Sequence, residues 1–431
     1  MNRKIQDNMK IEAFPEDITE EGIKIYGESS YDNQIATLSH YLHNANYTGT
    51  TDEIKERREE LIALIREYLE QKDSSMKYTD EQISVVADNP MSFDLFGEFY
   101  QVPFPSPQFY THTFIDLFAG IGGIRIPFDE LGYQCLFSSE WDKKACKTYF
   151  ANFGTVPFGD ITKIPAHKIP KHDILLAGFP CQAFSIIGKM QGFADTRGTM
   201  FFEIERILKH HHTPYILLEN VKQLVGHDGG RTFKVILERL NQLGYYVKWK
   251  VLNALDFGLP QKRERVIIVG FMDKTDYDAF TFDIPHKSYD LSDILEPDED
   301  IDSSLFASEH IIAKRREKTL GKHVFYPSIW HENKAGNISI LDYSCALRTG
   351  ASYNYLLVNG VRRPSSRELL RLQGFPEKYK IVVSHQDIRR QTGNSVAVPM
   401  IRMVAQKINE IIQAKEYETS ETKGLKTVAD I

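Results

Sequence analysis

The stretch Thr113–Gly123, which reads TFIDLFAGIGG, decides the fold class of this chain. Its apolar first half has the length of a buried strand, and its glycines predict a tight turn before an amphipathic helix to about Leu131. Further strands are predicted at Cys135–Ser139, Asp173–Ala177, Tyr215–Leu218, Tyr245–Val251 and Arg265–Phe271. Further helices are predicted at Thr199–His211 and Thr232–Leu243. This alternation predicts an α/β fold with an open, mainly parallel sheet and helices on both faces.

Outside that region the pattern changes, and four segments are predicted: 1–112, 113–272, 273–361 and 362–431. In the first segment Thr50 and Glu53 predict a capping box, so we expect a helical N-terminal extension. The alternation of strands and helices fails in the third segment, which predicts a smaller inserted domain. The last segment returns to the α/β domain through helices at Ser365–Leu372 and Val396–Ile412, and the polar tail from Lys415 is expected to fray.

The charge of the chain is unevenly distributed. The 431 residues carry a formal net charge of −7, but residues 1–100 hold 10 basic and 21 acidic side chains. The remaining residues hold 42 basic and 38 acidic side chains, so this part is free to meet nucleic acid.

The four cysteines follow neither a disulfide framework nor zinc-ligand spacing, so no metal is expected. The polar start of the chain and the lack of a long apolar run predict a cytoplasmic protein without a membrane span.

The glycine turn is the first candidate site. Glu140 follows Gly120 by 20 residues, at the end of the second strand, where a carboxylate accepts hydrogen bonds from ribose in related sheets. The spacing Gly120-x-Gly122-Gly123 departs from the pyrophosphate fingerprint, which favours S-adenosylmethionine over NAD. A glycine turn without a ligand is the alternative. Asp160 is either an acceptor for an adenine amino group or an ordinary turn residue.

Three further candidates follow predicted strands or precede one. Cys181 comes after an apolar strand, at the sheet edge where ligands bind, and a thiolate is a strong nucleophile; a buried small side chain is the alternative. Glu219 also follows an apolar strand directly. It is predicted to be either a general acid or a carboxylate that caps a helix. Arg263 and Arg265 lie at the start of a predicted strand. They either hydrogen-bond a phosphate or base through their guanidinium groups, or belong to an ordinary solvated turn.

In their order and spacing these blocks resemble the DNA (cytosine-5) methyltransferase family of bacterial restriction–modification systems. The resemblance covers about Thr113 to Ile401 apart from the insert. The blocks that carry it are Phe114–Gly123, Ser139–Trp141, Gly159–Ile161, Gly178–Ser185, Thr196–Phe202, Glu219–Val221, Gln261–Arg265, Arg367–Pro376 and Arg390–Pro399. One departure is Ala183, where family members usually carry proline; the preceding Pro180 and Cys181 are intact.

The resemblance implies a Rossmann-like, S-adenosylmethionine-dependent methyltransferase fold and assigns the catalytic roles. Cys181 is expected to add to carbon 6 of cytosine, and Glu219 to protonate or hydrogen-bond N3. Arg263 and Arg265 are expected to hold the flipped base, and Pro180, Gln182 and Ser185 to belong to a substrate loop that closes over it. The implied cofactor contacts are Phe118, Gly120, Ile121, Gly123, Glu140, Trp141, Asp160, Ile161, Gly178, Met200, Asn394 and Ser395.

Recognition of a short site in double-stranded DNA is expected within residues 273–361, the target-recognition region. Its basic and aromatic candidates for groove contacts are His323, Trp330, His331, Arg348, Tyr353 and Tyr355. A surface turn is the alternative for Arg348–Gly350.

The expected setting is a monomer in the bacterial cytoplasm, paired in function with a restriction endonuclease. A tRNA methyltransferase with the same motifs, a catalytically silent DNA-binding protein and an NAD oxidoreductase are the competing hypotheses. Activity on RNA alone would select the tRNA methyltransferase, and tight NAD binding would select the oxidoreductase. The intact set of candidate catalytic residues argues against a catalytically silent DNA-binding protein.

Overall fold

The structure is a computed structural model that describes residues 102–107, 110–155, 157–180 and 200–429, together with Ile62, Ala63, Arg66 and Thr79. Most of the predicted N-terminal extension therefore lies outside the described residues. So does the segment 181–199, which holds Cys181, Gln182 and Ser185.

Among the described residues, the largest sheet has six strands in the order β2-β1-β3-β4-β7-β5. These strands are β1 (Thr113–Leu117), β2 (Gln134–Ser139), β3 (Ile174–Gly178), β4 (Tyr215–Val221), β5 (Tyr246–Asn253) and β7 (Glu264–Phe271). Strand β1 is parallel to both β2 and β3, whereas β5 is antiparallel to β7 along its whole length. The predicted mainly parallel α/β fold is confirmed, with one reversed strand at the edge.

Of the described residues from 102 onward, the helices are α1 (Arg125–Glu130), α2 (Lys143–Phe153), α3 (Met200–His211), α4 (Gln223–Gly226), α5 (Arg231–Gln242), α6 (Lys274–Ala279), α7 (Glu309–Lys318), α8 (Ser366–Leu372), α9 (His385–Asn394) and α10 (Val398–Ala429). Single 3-10 turns lie at Ile161–Lys163, Ala166–Lys168, His227–Gly230, Ala254–Asp256, Leu291–Ile294, Asp298–Asp300 and Ser303–Leu305. In this part of the chain, no helix has both the length and the apolar character needed to cross a membrane.

The chain forms two compact units, and the first comprises residues 1–218 and 378–383. Strand β1 is buried along its entire length, so its side chains form a core on both faces of the sheet. Helix α2 begins at Asp142, whose side chain accepts from the N–H groups of Lys144 and Ala145, and ends at Gly154 with φ of 68°. Residues 378–383 join this unit because the Asn152 side chain bonds both the N–H and the carbonyl of Lys380.

The second unit comprises residues 219–377 and 384–431. Besides its share of the main sheet it holds an antiparallel sheet of β8 (Ile329–Glu332), β9 (Ile338–Leu341) and β11 (Leu356–Val358), and a parallel pair of β6 (Gln261–Lys262) and β10 (Ser344–Cys345). The antiparallel sheet covers an apolar cluster around Trp330 and Leu357. These strands, at residues 329–358, are too short for their pattern to show in the sequence.

The C-terminal tail corrects one expectation. The sequence predicted fraying from Lys415, but helix α10 continues to Ala429. A helix that has already formed adds each further residue without the cost of a new nucleus, which is the physical reason for the longer element.

Candidate active site

The glycine turn after β1 contains three residues in the left-handed backbone region. Phe118 and Gly120 both have φ of 55°, and Gly122 has φ of 78°. A Cβ atom on Gly122 would lie 2.2 Å from the Phe153 ring, so helix α2 packs directly against this turn. The hydroxyl of Tyr379 donates to the Ile121 carbonyl at 2.7 Å and fixes the turn from another side.

Glu140 connects the glycine turn to the end of β2. Its carboxylate accepts from the N–H of Gly120 and the N–H of Asp142, each at 2.8 Å. Burial raises the pKa of Glu140. The next side chain, Trp141, is 80% exposed, so its indole face is available beside a fixed carboxylate.

Strand register gathers the predicted cofactor residues at one sheet edge. Leu117 pairs with Ser139 of β2 and with Ala177 of β3, so the residues that follow these three, Phe118, Glu140 and Gly178, reach the same edge. Phe158 pairs with Ser139, the last residue of β2, through two backbone hydrogen bonds, which brings Gly159–Ile161 to that edge as well.

Asp160 has a local structural partner. Its Oδ1 accepts from the N–H and the hydroxyl of Thr162, at 3.0 and 2.8 Å, and so caps the 3-10 turn that begins at Ile161. Of the remaining predicted contacts in this unit, Gly123 lies in the turn before α1, and Met200 is the first residue of α3.

These features fit an adenosyl group. An exposed aromatic face lies next to a buried carboxylate whose position is fixed by two backbone N–H groups. The glycines let a ligand approach the backbone closely without side-chain interference.

Glu219 and Arg265 form a buried ion pair in the second unit. Glu219 lies near the end of β4, and its Oε1 is 3.0 Å from Nε of Arg265, with exposed side-chain fractions of 9% and 11%. Burial raises the pKa of Glu219, opposed by the nearby arginines Arg265 and Arg263. The structure therefore brings together two of the predicted catalytic side chains.

Arg263 serves a different purpose in the described structure. Its guanidinium is buried and donates to the carbonyls of Leu347, Gly393 and Ser395. Burial, with a contribution from Arg265, lowers the pKa of Arg263 to about 9. Arg263 thus ties two distant backbone segments together, and one of them is the block that holds the predicted cofactor residues Asn394 and Ser395.

Gln261 is a buried positioning residue for which the sequence suggested no role. Its Nε2 donates to the Leu372 carbonyl at 2.7 Å, and its Oε1 accepts from the Leu347 N–H at 3.1 Å. The side chain fixes β6, which leads directly to Arg263 and to Arg265 in β7. Its position inside the QKRER block was the one sequence signal that could have pointed to it. The signal did not reveal its contacts, because its partners lie more than 80 residues away in the chain.

Two of the predicted groove-contact candidates are corrected. Trp330 is only 7% exposed, and its Nε1 donates to the Ser328 hydroxyl within the apolar cluster of the insert. Tyr355 is also buried, at 6%. Both predictions were wrong, for different reasons: Trp330 belongs to the core of the short sheet, and the Tyr355 ring is covered by the Arg348 guanidinium. His323, Arg348 and Tyr353 are exposed, and His331 is half-buried.

The substrate loop is described only at its start. Pro180 is exposed, two residues beyond the end of β3. The predicted nucleophile and the rest of the loop lie outside the described residues. Within the described ranges, no group of three or more histidine, cysteine, aspartate or glutamate side chains is arranged to hold a metal ion.

A family model described as C-5 cytosine-specific DNA methylase matches residues 112–410. The chain is 58% identical over 292 residues to the Type II methyltransferase M.HaeII of Haemophilus aegyptius, covering 68% of this chain and 91% of the relative. It is 57% identical over 288 residues to the Type II methyltransferase M.NgoBI of Neisseria gonorrhoeae, covering 67% and 90%.

Among solved structures, the methyltransferase EhMeth of Entamoeba histolytica is similar with a TM-score of 0.56 at 17% identity, covering 70% of this chain and 99% of the other. The S. pombe Dnmt2 methyltransferase is similar with a TM-score of 0.54 at 19% identity, covering 70% and 99%. At these identities the two structures establish a shared fold. Because the family model spans more than half of the sequence and the relatives are far above 30% identity, the chain belongs to the C-5 cytosine-specific DNA methylases and is a DNA cytosine-5 methyltransferase.

Proposed function

We propose that the chain methylates carbon 5 of a flipped cytosine at a short specific site in double-stranded DNA, as the modification partner of a restriction endonuclease. The observation that carries the catalytic part is the buried Glu219–Arg265 pair at the end of a sheet strand. The names of the relatives favour this function over the tRNA alternative.

The reaction needs a nucleophile because carbon 5 of cytosine is itself a poor one. We assign this role to Cys181, whose thiolate adds to carbon 6 and converts the ring into an enamine. Carbon 5 then accepts the methyl group, and loss of its proton and of the Cys181 sulfur restores the aromatic ring and the free thiolate. Pro180, Gln182 and Ser185 would shape the loop around the base.

Glu219 would stabilise the charge that develops on the ring. A carboxyl group must be at least partly protonated near neutral pH to donate to N3, and burial raises the pKa of Glu219 in that direction. Arg265, in contact with Glu219, would hold the base beside it. Arg263 would act by positioning, because its donors are directed at backbone carbonyls.

Family membership supports S-adenosylmethionine as the methyl donor. When bound, its sulfonium supplies an electrophilic methyl group. Glu140 would bind the ribose, Trp141 would pack on the adenine, and Asp160 would face the adenine amino group. The backbone of the glycine turn would lie close to the ligand. The remaining members of this proposed site are Phe118, Gly120, Ile121, Gly123, Ile161, Gly178, Met200, Asn394 and Ser395.

The target base must leave the helix because carbon 6 is inaccessible in a stacked duplex. We assign site recognition to residues 273–361, within which His323, Arg348 and Tyr353 are accessible. The proposed division of the chain keeps 113–272 as the catalytic domain, with 362–431 returning to it. A monomer in the bacterial cytoplasm that acts without a metal completes the proposal.

Expression in a methylation-free host, followed by bisulfite sequencing, tests the proposed function and reports the recognition site. Wild-type protein should protect one cytosine within one short sequence, and Cys181→Ala should protect none. Cys345→Ala is the matched control, since burial raises the pKa of that thiol to about 11 and the variant should methylate normally. Full methylation by Cys181→Ala would refute the nucleophile assignment, and absence of methylation by wild type would refute the function.

A further inference from the structure

The second unit contains a pocket where cationic and aromatic side chains converge. We call it the arginine pocket and define it by Arg348, Tyr353, Tyr355, Arg363, His385 and Arg389. The pocket is open to solvent, and no acidic side chain lines it. None of the proposed catalytic or cofactor residues belongs to it.

Cation–π contacts hold the guanidinium groups in place. The Arg363 and Arg389 guanidiniums lie 4.0 and 4.8 Å from the centre of the Tyr353 ring, and that of Arg348 lies 5.3 Å from the centre of the Tyr355 ring. Arginine held in this way loses less conformational entropy when it binds a ligand.

The positive charge of the pocket is poorly compensated. Burial, Arg389 and Arg363 lower the pKa of His385, opposed only by Asp302, an exposed residue that caps a neighbouring 3-10 turn. Nε2 of His385 is buried without a hydrogen-bond partner among the described residues. Clustered like charges raise the energy of the empty pocket, so an anion would stabilise it.

Two of the arginines retain donors for a ligand. A guanidinium has five N–H donors. Within the described chain, the Arg389 guanidinium gives one hydrogen bond, to the Ser352 carbonyl, and that of Arg348 gives one, to Nε2 of His331. Arg363 is instead directed at the side chain of Asn354 and at backbone carbonyls, so it contributes charge and support rather than a free fork.

We propose that the arginine pocket binds a phosphodiester group of the DNA backbone. Guanidinium donors match phosphate oxygens in geometry and charge. An extruded base would need a free aromatic face, but Tyr353 already carries two guanidiniums and Tyr355 carries one. Within the recognition region, Arg348 and Tyr353 would then serve the DNA backbone rather than a base edge, so the pocket would fix the position of the duplex without reading its sequence. The proposal rests on DNA being the substrate.

Salt dependence of DNA affinity tests the proposal directly. Dissociation constants of full-length protein for a short duplex with its methylation site are measured by fluorescence anisotropy over a range of KCl concentrations. Each lost phosphate contact should reduce the log–log slope by about 1. Arg389→Gln should show this loss together with weaker binding, and Arg389→Lys should retain the wild-type slope.

Arg231→Gln is the matched control, because its side chain is 72% exposed and paired with Asp228 on another part of the same unit. It should keep the wild-type slope. A wild-type slope for Arg389→Gln, or an equal loss for Arg231→Gln, would overturn the proposal. Arg348→Gln provides a second variant in case Arg389→Gln fails to fold, as checked by thermal melting.

Duplexes in which a single phosphate is replaced by a neutral methylphosphonate show which phosphate of the DNA backbone the pocket binds. Wild type should lose affinity when one particular linkage is neutral, and Arg389→Gln should lose nothing further at that linkage. Equal losses by both proteins at every linkage would exclude a phosphate in the pocket. Methyl transfer by wild type to the unmodified duplex is measured in parallel, so failure of the proposed function is distinguished from failure of this inference.

Discussion

At the residue scale, two arginines separated by one residue have different environments. Arg265 contacts the buried acid Glu219, whereas Arg263 donates to three backbone carbonyls. The sequence predicted both as substrate contacts because the motif treats them alike. The carbonyl partners of Arg263 lie 84 to 132 residues away in the chain, so only the folded structure reveals them.

Glu219→Gln should lower kcat by roughly 10²- to 10⁴-fold, the usual contribution of a positioned proton donor. Burial raises the pKa of Glu219, so the protonated form persists to higher pH in the folded enzyme. Wild-type activity should therefore fall as pH rises through this raised pKa. The glutamine variant cannot ionise, and its pH–rate profile should lack that limb. An unchanged limb would show that another group titrates.

Arg263→Met and Arg265→Met should separate stability from catalysis. The first leaves up to three carbonyls without their donor, at about 1–3 kcal/mol for each one that stays buried and unpaired. Urea unfolding should show this loss of stability for Arg263→Met. Arg265→Met should fold with a smaller loss, because Glu219, whose pKa burial raises, can take up a proton when its partner is removed, but it should methylate DNA poorly. Equal unfolding midpoints for the two variants would contradict the separate roles.

At the element scale, the glycine turn depends on helix α2, which the sequence analysis did not predict. Most predicted strands agree with the structure within two residues at each end, since continuous apolar runs mark buried strands clearly. The reversed direction of β5 and the short strands of the insert were not predictable, because pairing partners and direction are set by tertiary packing.

Gly122→Ala should be markedly more destabilising than Gly132→Ala. Both glycines have φ of 78°, so both variants carry the cost of a left-handed residue, about 1–2 kcal/mol. Only at Gly122 does the added Cβ meet the Phe153 ring, whereas nothing lies within 4 Å at Gly132. Thermal unfolding of both variants measures the difference, and similar melting temperatures would show that the turn and α2 are not tightly packed.

A buried polar cluster joins β1, α1 and α2. Arg125 donates to Asp129, to the Tyr149 hydroxyl and to the Thr155 hydroxyl, and the Tyr149 hydroxyl donates to Asp116. Burial raises the pKa of Asp116 to about 7 and that of Asp129 to about 6. The cluster therefore links the stability of the first unit to pH.

A carboxyl with a raised pKa stabilises the folded state while it is protonated, and that contribution is lost as pH rises through the folded pKa. The free energy of unfolding should thus fall between pH 5 and pH 8, and fall less for Asp116→Asn. Asp228→Asn is the control, because Arg231 lowers the pKa of Asp228 and its contribution is constant in this range. Identical pH dependence of Asp116→Asn and wild type would contradict the assignment.

At the scale of the whole molecule, the net charge of −7 describes two different regions. The acidic residues 1–100 lie outside the family match, which starts at residue 112, and the matched part is close to neutral. Affinity for DNA must therefore come from local clusters of basic groups. The arginine pocket is such a cluster, and bulk composition could not have located it, because its members come from residues 348 to 389.

Covalent trapping tests the central claim, that Cys181 attacks the cytosine ring, most directly. A duplex carrying 5-fluorocytosine at the target position cannot lose the group at carbon 5, so the cysteine adduct should accumulate with the methyl donor present. Mass spectrometry should then find the DNA strand attached to the peptide that contains Cys181. Absence of any adduct, or attachment at another residue, while ordinary duplex is still methylated, would contradict the mechanism.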